Sequence, residues 1–285
     1  MKRIGVTANC GKPRAAEVLK HLADVAGKHG LELIADETAA GLLNCKSVPF
    51  DKLCDQVDAL MALGGDGTML KAVRELNGRD KPVIGVNIGG LGFLTTVAEE
   101  ELDQALDCLA SGKFSTSIRA VAEARLVRNN VEISTYRGLN DVVIHRGPSG
   151  RIVTLDVAIE NETGTSYLCD GLIVSTPTGS TGHSLSAGGP IITPDTSAFV
   201  ISLICPHTLS SRPMVVPDQS RISITASKSS GDLLLSVDGQ VGEPLLTGDC
   251  VTVRRSDKGV RFIHLPGYSY FSVLRQKLHW RGSAK

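Results

Sequence analysis

The chain has 285 residues, about twice a typical domain of roughly 150 residues, which favours two domains. Hydrophobic residues make up 42% and charged residues 21%, as in ordinary globular proteins, and 30 Lys and Arg balance 30 Asp and Glu. This zero balance gives no electrostatic reason to expect a nucleic acid or an anionic membrane as partner, and no stretch approaches the ~20 apolar residues of a membrane-spanning helix.

The first third of the chain alternates between strand and helix patterns. The predicted strands are Ile4–Ala8, Leu31–Ala35, Ala59–Leu63 and Pro82–Val86, and the predicted helices are Ala15–Lys28, Met69–Leu76 and Leu102–Leu109. Strands interleaved with helices favour a parallel, doubly wound sheet. Residues 1–113 are therefore predicted to form an α/β domain.

From about Phe114 the pattern changes to a succession of short strands. The expected strands include Glu123–Val127, Val142–His145, Leu155–Glu160, Ile222–Thr225, Leu233–Val237 and Val251–Arg254. Almost no helical stretch interrupts them, so residues 114–264 are predicted to form an all-β domain. The remaining tail, residues 265–285, is apolar enough to be expected to pack back on the first domain.

A first candidate site is Gly64-Gly65-Asp66-Gly67-Thr68, between a predicted strand and a predicted helix. Ligands of open α/β sheets usually lie at the carboxyl ends of strands. The glycines bring backbone N–H groups close to phosphate oxygens, and the helix adds its amino end. A carboxylate inside such an anion site could accept the proton of an attacking hydroxyl or hold a magnesium ion. The alternative is a tight turn with Asp66 as helix N-cap.

A second glycine loop, Asn87–Thr95, follows the next buried strand, and two loops at adjacent strand ends would form one crevice. Within it, Phe93 either flanks a ligand or belongs to the core. A third candidate is Asn140-Asp141, where an amide and a carboxylate could bind the two hydroxyls of a ribose, although a β-turn explains them equally well.

The fourth candidate runs from Asp170 to Pro190 and is rich in small and hydroxylated residues. A simple turn needs far fewer residues, and such a loop suits a polar ligand such as a nucleoside. A solvated linker is the alternative, although linkers seldom carry two prolines and an embedded Leu185.

Together these segments resemble the NAD kinase family. The matching motifs are residues 64–68, 87–94, 140–141, 170–181, 184–190, 206–213 and 237–240, in the family's order and over nearly the whole chain. The first motif is shared with lipid kinases and phosphofructokinases, whereas the 170–181 run is more specific. The chain departs from the common pattern at three places. It has Gly182-His183 where members often have Ala-Tyr, Asp141 where many have Glu, and Leu168 where many have Arg.

The resemblance implies transfer of the γ-phosphoryl group of ATP to the 2′-hydroxyl of the adenosine ribose of NAD, giving NADP and ADP. Asp66 would be the catalytic base, and magnesium or another divalent cation would be carried mainly by the ATP phosphates. The implied nucleotide-binding residues are Gly65, Asp66, Gly67, Thr68, Lys71, Phe93, Asn140, Asp141, Arg151, Asp170, Thr178, Thr181, Gly182, His183, Ser184, Leu185, Ser186 and Gln240. Lys71 is also explained as a plain surface lysine.

Two other functions stay open from the sequence. A diacylglycerol- or sphingosine-type lipid kinase shares the glycine motif. It would require an apolar entrance or a basic membrane-facing patch, and the sequence indicates neither. A non-catalytic NAD sensor would use the same pocket. The departures from the family pattern at His183 and Leu168 are compatible with this second alternative.

The expected partners are small-molecule nucleotides, with neither nucleic acid nor membrane, and the resemblance implies a homodimer or homotetramer assembled through the β domain. Seven scattered cysteines without a Cys-x-x-Cys motif indicate reduced thiols. No signal peptide is visible at the amino end, so we expect a cytoplasmic protein.

Overall fold

The computed structural model describes residues 1–90, 92–148, 151–160, 162, 164–229 and 232–280. The chain divides into two compact units. We call residues 1–118, together with the described part of the chain from residue 260 onward, the α/β unit, and residues 119–259 the β unit.

The α/β unit begins with alternating strands and helices. The strands are β1 (Arg3–Ala8), β2 (Glu32–Ala35), β3 (Lys46–Ser47), β4 (Ala59–Gly64), β5 (Val83–Asn87), β6 (Val97–Ala98) and β7 (Ser115–Arg119). The helices are α1 (Ala15–Lys28), α2 (Glu37–Leu43), α3 (Phe50–Gln56), α4 (Asp66–Leu76) and α5 (Leu102–Ser111). Helix α1 follows its apolar stripe and buries Val18, Leu22 and Val25.

The β unit is formed almost wholly by strands. These are β8 (Ala122–Arg128), β9 (Val131–Gly138), β10 (Asp141–Arg146), β11 (Val153–Ile159), β12 (Thr165–Cys169), β13 (Gly171–Ser175), β14 (Ala198–Ile204), β15 (Met214–Pro217), β16 (Ile222–Ser229), β17 (Leu233–Val237), β18 (Val241–Leu245) and β19 (Cys250–Arg255). One short helix, α6 (His183–Ser186), interrupts the described strands, and the chain then returns to the α/β unit as β20 (Val260–His264) and α7 (Tyr270–Lys277).

The sheet of the α/β unit has the order β3-β2-β1-β4-β5-β20-β7 in the described residues, with β6 also paired to β5. Strand β4 lies in its middle and pairs in parallel with β1 and β5. All six residues of β4 are buried, which explains why its sequence is an unbroken apolar run. The predicted parallel α/β architecture is confirmed.

The β unit contains two antiparallel sheets within the described residues, of the orders β15-β14-β13-β10-β17-β18 and β12-β11-β16-β19-β8-β9. Alternate side chains from both sheets, such as Leu126, Ile144, Leu155 and Phe199, form one apolar core. The predicted all-β character of this part is confirmed.

Strand β20 belongs to a different unit from the one the sequence analysis assigned to it. Residues 260–264 were predicted as the end of the 114–264 domain, yet β20 pairs in parallel with β5, with Phe262 opposite Val83. A short apolar strand pattern does not specify which sheet it joins, because pairing depends on residues far away in sequence. Within the described residues, no helix has both the length and the apolarity needed to cross a membrane.

Candidate functional site

The first glycine loop passes directly from β4 into α4. Gly65 is the N-cap with an extended backbone, and Asp66 is the first helical residue. A Cβ at Gly64 would lie 2.2 Å from Thr68 Oγ1, so a side chain at position 64 would displace the first helical turn. Thr68 Oγ1 accepts a hydrogen bond from the Gly65 amide at 3.4 Å. The alternative interpretation of Asp66 as N-cap is therefore wrong, because the cap position belongs to Gly65.

The Asp66 carboxylate turns toward the second glycine loop. Its Oδ2 accepts a hydrogen bond from the Phe93 amide at 2.9 Å. Its Oδ1 accepts from the amides of Leu94 at 2.9 Å and Thr95 at 3.2 Å, and from Thr95 Oγ1 at 3.4 Å. This side chain therefore joins the two loops at the carboxyl ends of β4 and β5, and Gly64 lies opposite Asn87 in the sheet.

The two oxygens of Asp66 are used unequally. A carboxylate oxygen has about two lone-pair positions. Oδ1 has three donors around it, whereas Oδ2 has the Phe93 amide alone among the described hydrogen bonds. Since Asp66 is half-buried rather than enclosed, Oδ2 keeps the capacity to accept a proton or a hydrogen bond from a ligand.

Lys12, which the sequence analysis did not select, lies at the same strand ends. Its Nζ donates a hydrogen bond to Gly64 O at 3.1 Å and another to Ile88 O. The sequence offered one signal, a lysine in the loop directly after β1, but lysines are common in loops. Its contacts depend on three strand ends meeting at one edge of the sheet.

The other predicted residues of the α/β unit lie around these loops. Gly67 is exposed on the first turn of α4. Lys71 Nζ lies 3.9 Å from Glu75 Oε1. The Phe93 ring is half-buried, with Lys277 Nζ 5.6 Å from its centroid. Leu91, which belongs to the second glycine motif, lies outside the described residues.

In the β unit, Asn140 and Asp141 are fixed by Asp238 at the end of β17. Asp238 Oδ1 accepts hydrogen bonds from the amides of Asn140 at 2.7 Å and Asp141 at 3.1 Å, and its Oδ2 from the Leu139 amide at 2.8 Å. The Asp238 amide donates in return to Asp141 O at 3.0 Å. In the sequence, Asp238 stands out only as part of the 237–240 motif, and nothing there indicates its role.

Asp141 is buried, with 6% of its surface exposed. Burial, and then the negative charge of nearby Asp238, raises the pKa of the Asp141 carboxyl from an ordinary 3.8 to about 7. Asp141 therefore carries a proton for part of the time near neutral pH, and it can then donate a hydrogen bond as well as accept one.

Two buried polar atoms, Asn140 Oδ1 and Thr178 Oγ1, have no hydrogen-bond partner among the described residues. Both residues were predicted to bind a ligand. Unpaired buried polar atoms are costly, so their presence at adjoining positions points to a polar ligand that would satisfy them. The two segments do adjoin, since a Cβ at Gly179 would lie 2.1 Å from Asn140 O.

The hydroxyl-rich segment after β13 is folded and is not a solvated linker. It forms a 3₁₀ turn over Thr178–Thr181 and then α6. Ser180 is fully buried, and its hydroxyl donates to Pro177 O at 2.7 Å. Ser184 is also fully buried, with its hydroxyl 3.1 Å from that of Ser202. The Ser184 side chain therefore faces the interior of the unit.

The remaining residues of this segment differ in exposure. His183 and Ser186 are exposed, and Thr181, Gly182 and Leu185 are half-buried. His183 lines a cavity of about 360 Å³ together with His145, Arg146, Gly147, Asp170 and Ile204.

Asp170 pairs with Arg146 across this cavity, with Nε 2.8 Å from Oδ1. Of the other predicted residues, Gln240 lies in the turn between β17 and β18, where its amide donates to Val237 O at 3.0 Å, and Arg151 is exposed before β11. In the described residues, no group of three or more His, Cys, Asp or Glu side chains could hold a metal ion.

Comparisons with family models give one result for both units. Residues 4–114 match the model of the ATP-NAD kinase N-terminal domain, and residues 139–265 match that of the ATP-NAD kinase C-terminal domain. The chain is 41% identical to a NAD kinase of Syntrophotalea carbinolica over 282 residues, covering 98% of this chain and 99% of the relative. It is 39% identical to a NAD kinase of Magnetococcus marinus, covering 98% and 94%.

Solved structures agree with these matches. The yeast NADH kinase crystallised with NADH superposes with a TM-score of 0.92 at 25% identity, covering 100% of this chain and 89% of that one. A NAD kinase from Archaeoglobus fulgidus in complex with ATP gives a TM-score of 0.78 at 23% identity, covering 98% and 100%, and this likeness supports the fold.

Proposed function

This chain belongs to the NAD kinase family and is a phosphotransferase that uses ATP and NAD, and we propose that Asp66 activates the hydroxyl that receives the phosphoryl group. The observation that carries the proposal is the position of this carboxylate. It is held between two glycine loops by backbone amides, and Oδ2 keeps a free acceptor position.

In the proposed reaction, the 2′-hydroxyl of the adenosine ribose of NAD gives its proton to Asp66 Oδ2. The hydroxyl oxygen forms a bond to the γ-phosphorus of ATP, and the bond from that phosphorus to the β–γ bridging oxygen breaks, so NADP and ADP leave. The amides of residues 93–95 fix the direction in which the carboxylate points. Such transfer depends on positioning and on neutralising charge.

The donor phosphates are assigned to the first glycine loop. Gly65, Gly67 and Thr68 lie at the start of α4, where the helix dipole favours an anion and the two glycines let a phosphate group approach the backbone closely. Lys71 follows on the same helix, although its contact with Glu75 also suits a plain surface lysine. A divalent cation supplies charge neutralisation when it is bound, and we assign it to the ATP phosphates rather than to protein ligands. Phe93 is assigned to the edge of this site.

The NAD ribose is assigned to Asn140 and Asp141. The unpaired Asn140 Oδ1 and Thr178 Oγ1 support this assignment, because ribose hydroxyls are donors that both atoms could accept from. The base portions are assigned to Asp170 and the segment Thr181–Ser186.

Within that segment Ser184 contributes through its backbone, since its hydroxyl bonds to Ser202. His183 offers an imidazole face for stacking. Arg151 and Gln240 are assigned to the same ligand by their motif positions.

The relatives give no support to a lipid kinase or to a non-catalytic NAD sensor. Incubation with labelled ATP, magnesium and either NAD or dispersed diacylglycerol tests the substrate directly. We expect label in NADP and none in lipid. Labelled lipid, or tight NAD binding without NADP formation, would contradict the assignment.

A homodimer or homotetramer formed through the β unit is also part of the proposal. Its support is the exposed apolar side chains on two edge strands, Val131 and Ile133 on β9 and Met214 and Val215 on β15. Light scattering after size-exclusion chromatography tests this, and a monomeric mass would contradict it.

A cytoplasmic location is proposed from the state of the cysteines. All seven lie in described residues, and all are free thiols, which suits a reducing compartment. Cell fractionation with an antibody tests this assignment.

A further inference from the structure

Lys12 lies in a tight turn that brings the chain back over the carboxyl ends of the central strands. The Asn9 amide donates to Leu63 O at 2.9 Å, which attaches the turn to β4. Asn9 Oδ1 accepts from the Gly11 amide at 3.1 Å, and the Lys12 amide donates to Asn9 O at 3.3 Å. These bonds form an Asx turn that aims the Lys12 side chain at the glycine loops.

The Lys12 ammonium lies between the two loops. It donates to Gly64 O in the first loop and to Ile88 O in the second. A Cβ at Gly65 would lie 3.6 Å from Nζ, and one at Gly89 would lie 3.8 Å from it. The charged group therefore lies on the side toward which a side chain at either glycine would project, and that side chain would contact it.

This ammonium forms no ion pair within 4.0 Å among the described residues. The Lys12 side chain is nevertheless half-buried. A charge that is partly removed from water needs an opposite charge nearby. The ammonium has three N–H donors. Two of them donate to carbonyl oxygens, so one remains for an anion.

We propose that Lys12 binds a phosphate oxygen of the donor nucleotide and neutralises part of the charge of the triphosphate. This inference rests on the proposed function, since it takes ATP as the ligand of the glycine loops. It adds to that function a cation supplied by the loop after β1. Fixed cations beside the transferred phosphoryl group stabilise the charge that develops during transfer.

The test measures donor binding without turnover in Lys12→Met, whose unbranched side chain is one atom shorter than that of lysine and carries no charge. Titration calorimetry with ATP and magnesium, and separately with inorganic tripolyphosphate, should show affinities at least about tenfold weaker than wild type, as the loss of one charge-assisted hydrogen bond predicts. NAD affinity should stay within about twofold. Lys12→Arg should recover part of the ATP affinity, and Lys20→Met, on the exposed face of α1, should match wild type.

A folded Lys12→Met variant that binds ATP and tripolyphosphate as wild type does would overturn the proposal. So would an equal loss of ATP and NAD affinity together with a lower Tm, because that pattern indicates a purely structural contact between the loops. If Lys12→Met does not fold, the proposal can be tested on the wild-type protein by measuring the rate of Lys12 acetylation by mass spectrometry, with and without tripolyphosphate. Tripolyphosphate should protect Lys12, and an unchanged labelling rate contradicts the proposal.

Failure of this inference is distinguishable from failure of the proposed function. Wild-type NADP formation tests the reaction whatever Lys12 does. The tripolyphosphate titration measures anion binding at the glycine loops, even if Asp66 proves to have no part in the chemistry.

Discussion

Gly92 and Asp66 are in direct contact across the two glycine loops: a Cβ at position 92 would lie 2.0 Å from Asp66 Oδ1 and 2.8 Å from its Cγ. Real Cβ atoms do not approach so closely, so the carboxylate occupies its position only because residue 92 is glycine. The amides of Phe93 and Leu94 can then reach both carboxylate oxygens at 2.9 Å. The position of the proposed base thus depends on a missing side chain in the other loop.

Gly92→Ala should therefore inactivate the enzyme by moving Asp66. The added methyl group displaces the carboxylate from its amide donors, and we expect kcat to fall by about 100-fold, the effect of a misplacement near 1 Å. Steady-state kinetics with NAD and ATP measures this.

Gly41→Ala in α2 is the matched control, because a Cβ there meets nothing within 4 Å. It should keep wild-type kcat and gain up to about 1 kcal/mol in stability from the higher helix propensity of alanine. Equal kcat values in the two variants would show that the Gly92 contact does not matter.

Asp238→Ala should weaken NAD binding and leave ATP binding unchanged. The substitution frees the amides of Leu139, Asn140 and Asp141, so the proposed ribose-binding pair loses its fixed geometry. We expect the KM for NAD to rise by about tenfold, the cost of roughly one misplaced hydrogen-bonding pair. The exposed Asp195→Ala serves as control, and a KM for NAD unchanged in Asp238→Ala would refute the positioning role.

Asp141 gives the stability of the protein a specific pH dependence. Burial and the charge of Asp238 raise the pKa of this carboxyl to about 7, so the folded chain holds the proton more tightly than the unfolded chain does. The protonated carboxyl therefore stabilises the folded chain. This contribution to the free energy of unfolding is complete below about pH 4 and is lost as the pH rises to about 7. A rise from 3.8 to about 7 corresponds to about 4 kcal/mol.

Asp141→Asn removes this titration. The Tm of the variant relative to wild type should therefore increase between pH 5 and pH 8, because only wild type loses stability as the buried carboxyl ionises. Differential scanning fluorimetry at the two pH values measures the difference, with exposed Asp195→Asn as reference. A Tm difference that does not change with pH contradicts the buried titration.

Local sequence patterns were sufficient for much of the fold. Helix α1 has the predicted bounds, since its apolar stripe and the glycine just after its end, Gly30, are both local signals. The short helix α2 was missed, although Asp36 is its N-cap and accepts hydrogen bonds from the amides of Thr38 and Ala39. Seven residues give too little periodicity for a helix to be recognised.

The site was predictable where motifs are contiguous and unpredictable where contacts cross the chain. The glycine loops and Asn140-Asp141 stand out in the sequence. The roles of Lys12 and Asp238 do not, because each contacts residues at least 52 positions away. Sequence spacing carries no direct information on such contacts.

The most direct test of Asp66 as the base is the turnover of Asp66→Asn. The amide keeps the size of the side chain but cannot take up the hydroxyl proton, so NADP formation should fall by about 10³-fold, within the usual contribution of a general base. Calorimetry should show that ATP and NAD still bind within about threefold of wild type, and the Tm should show an intact fold. Turnover near the wild-type rate, with both substrates bound normally, would show that Asp66 does not take up the hydroxyl proton.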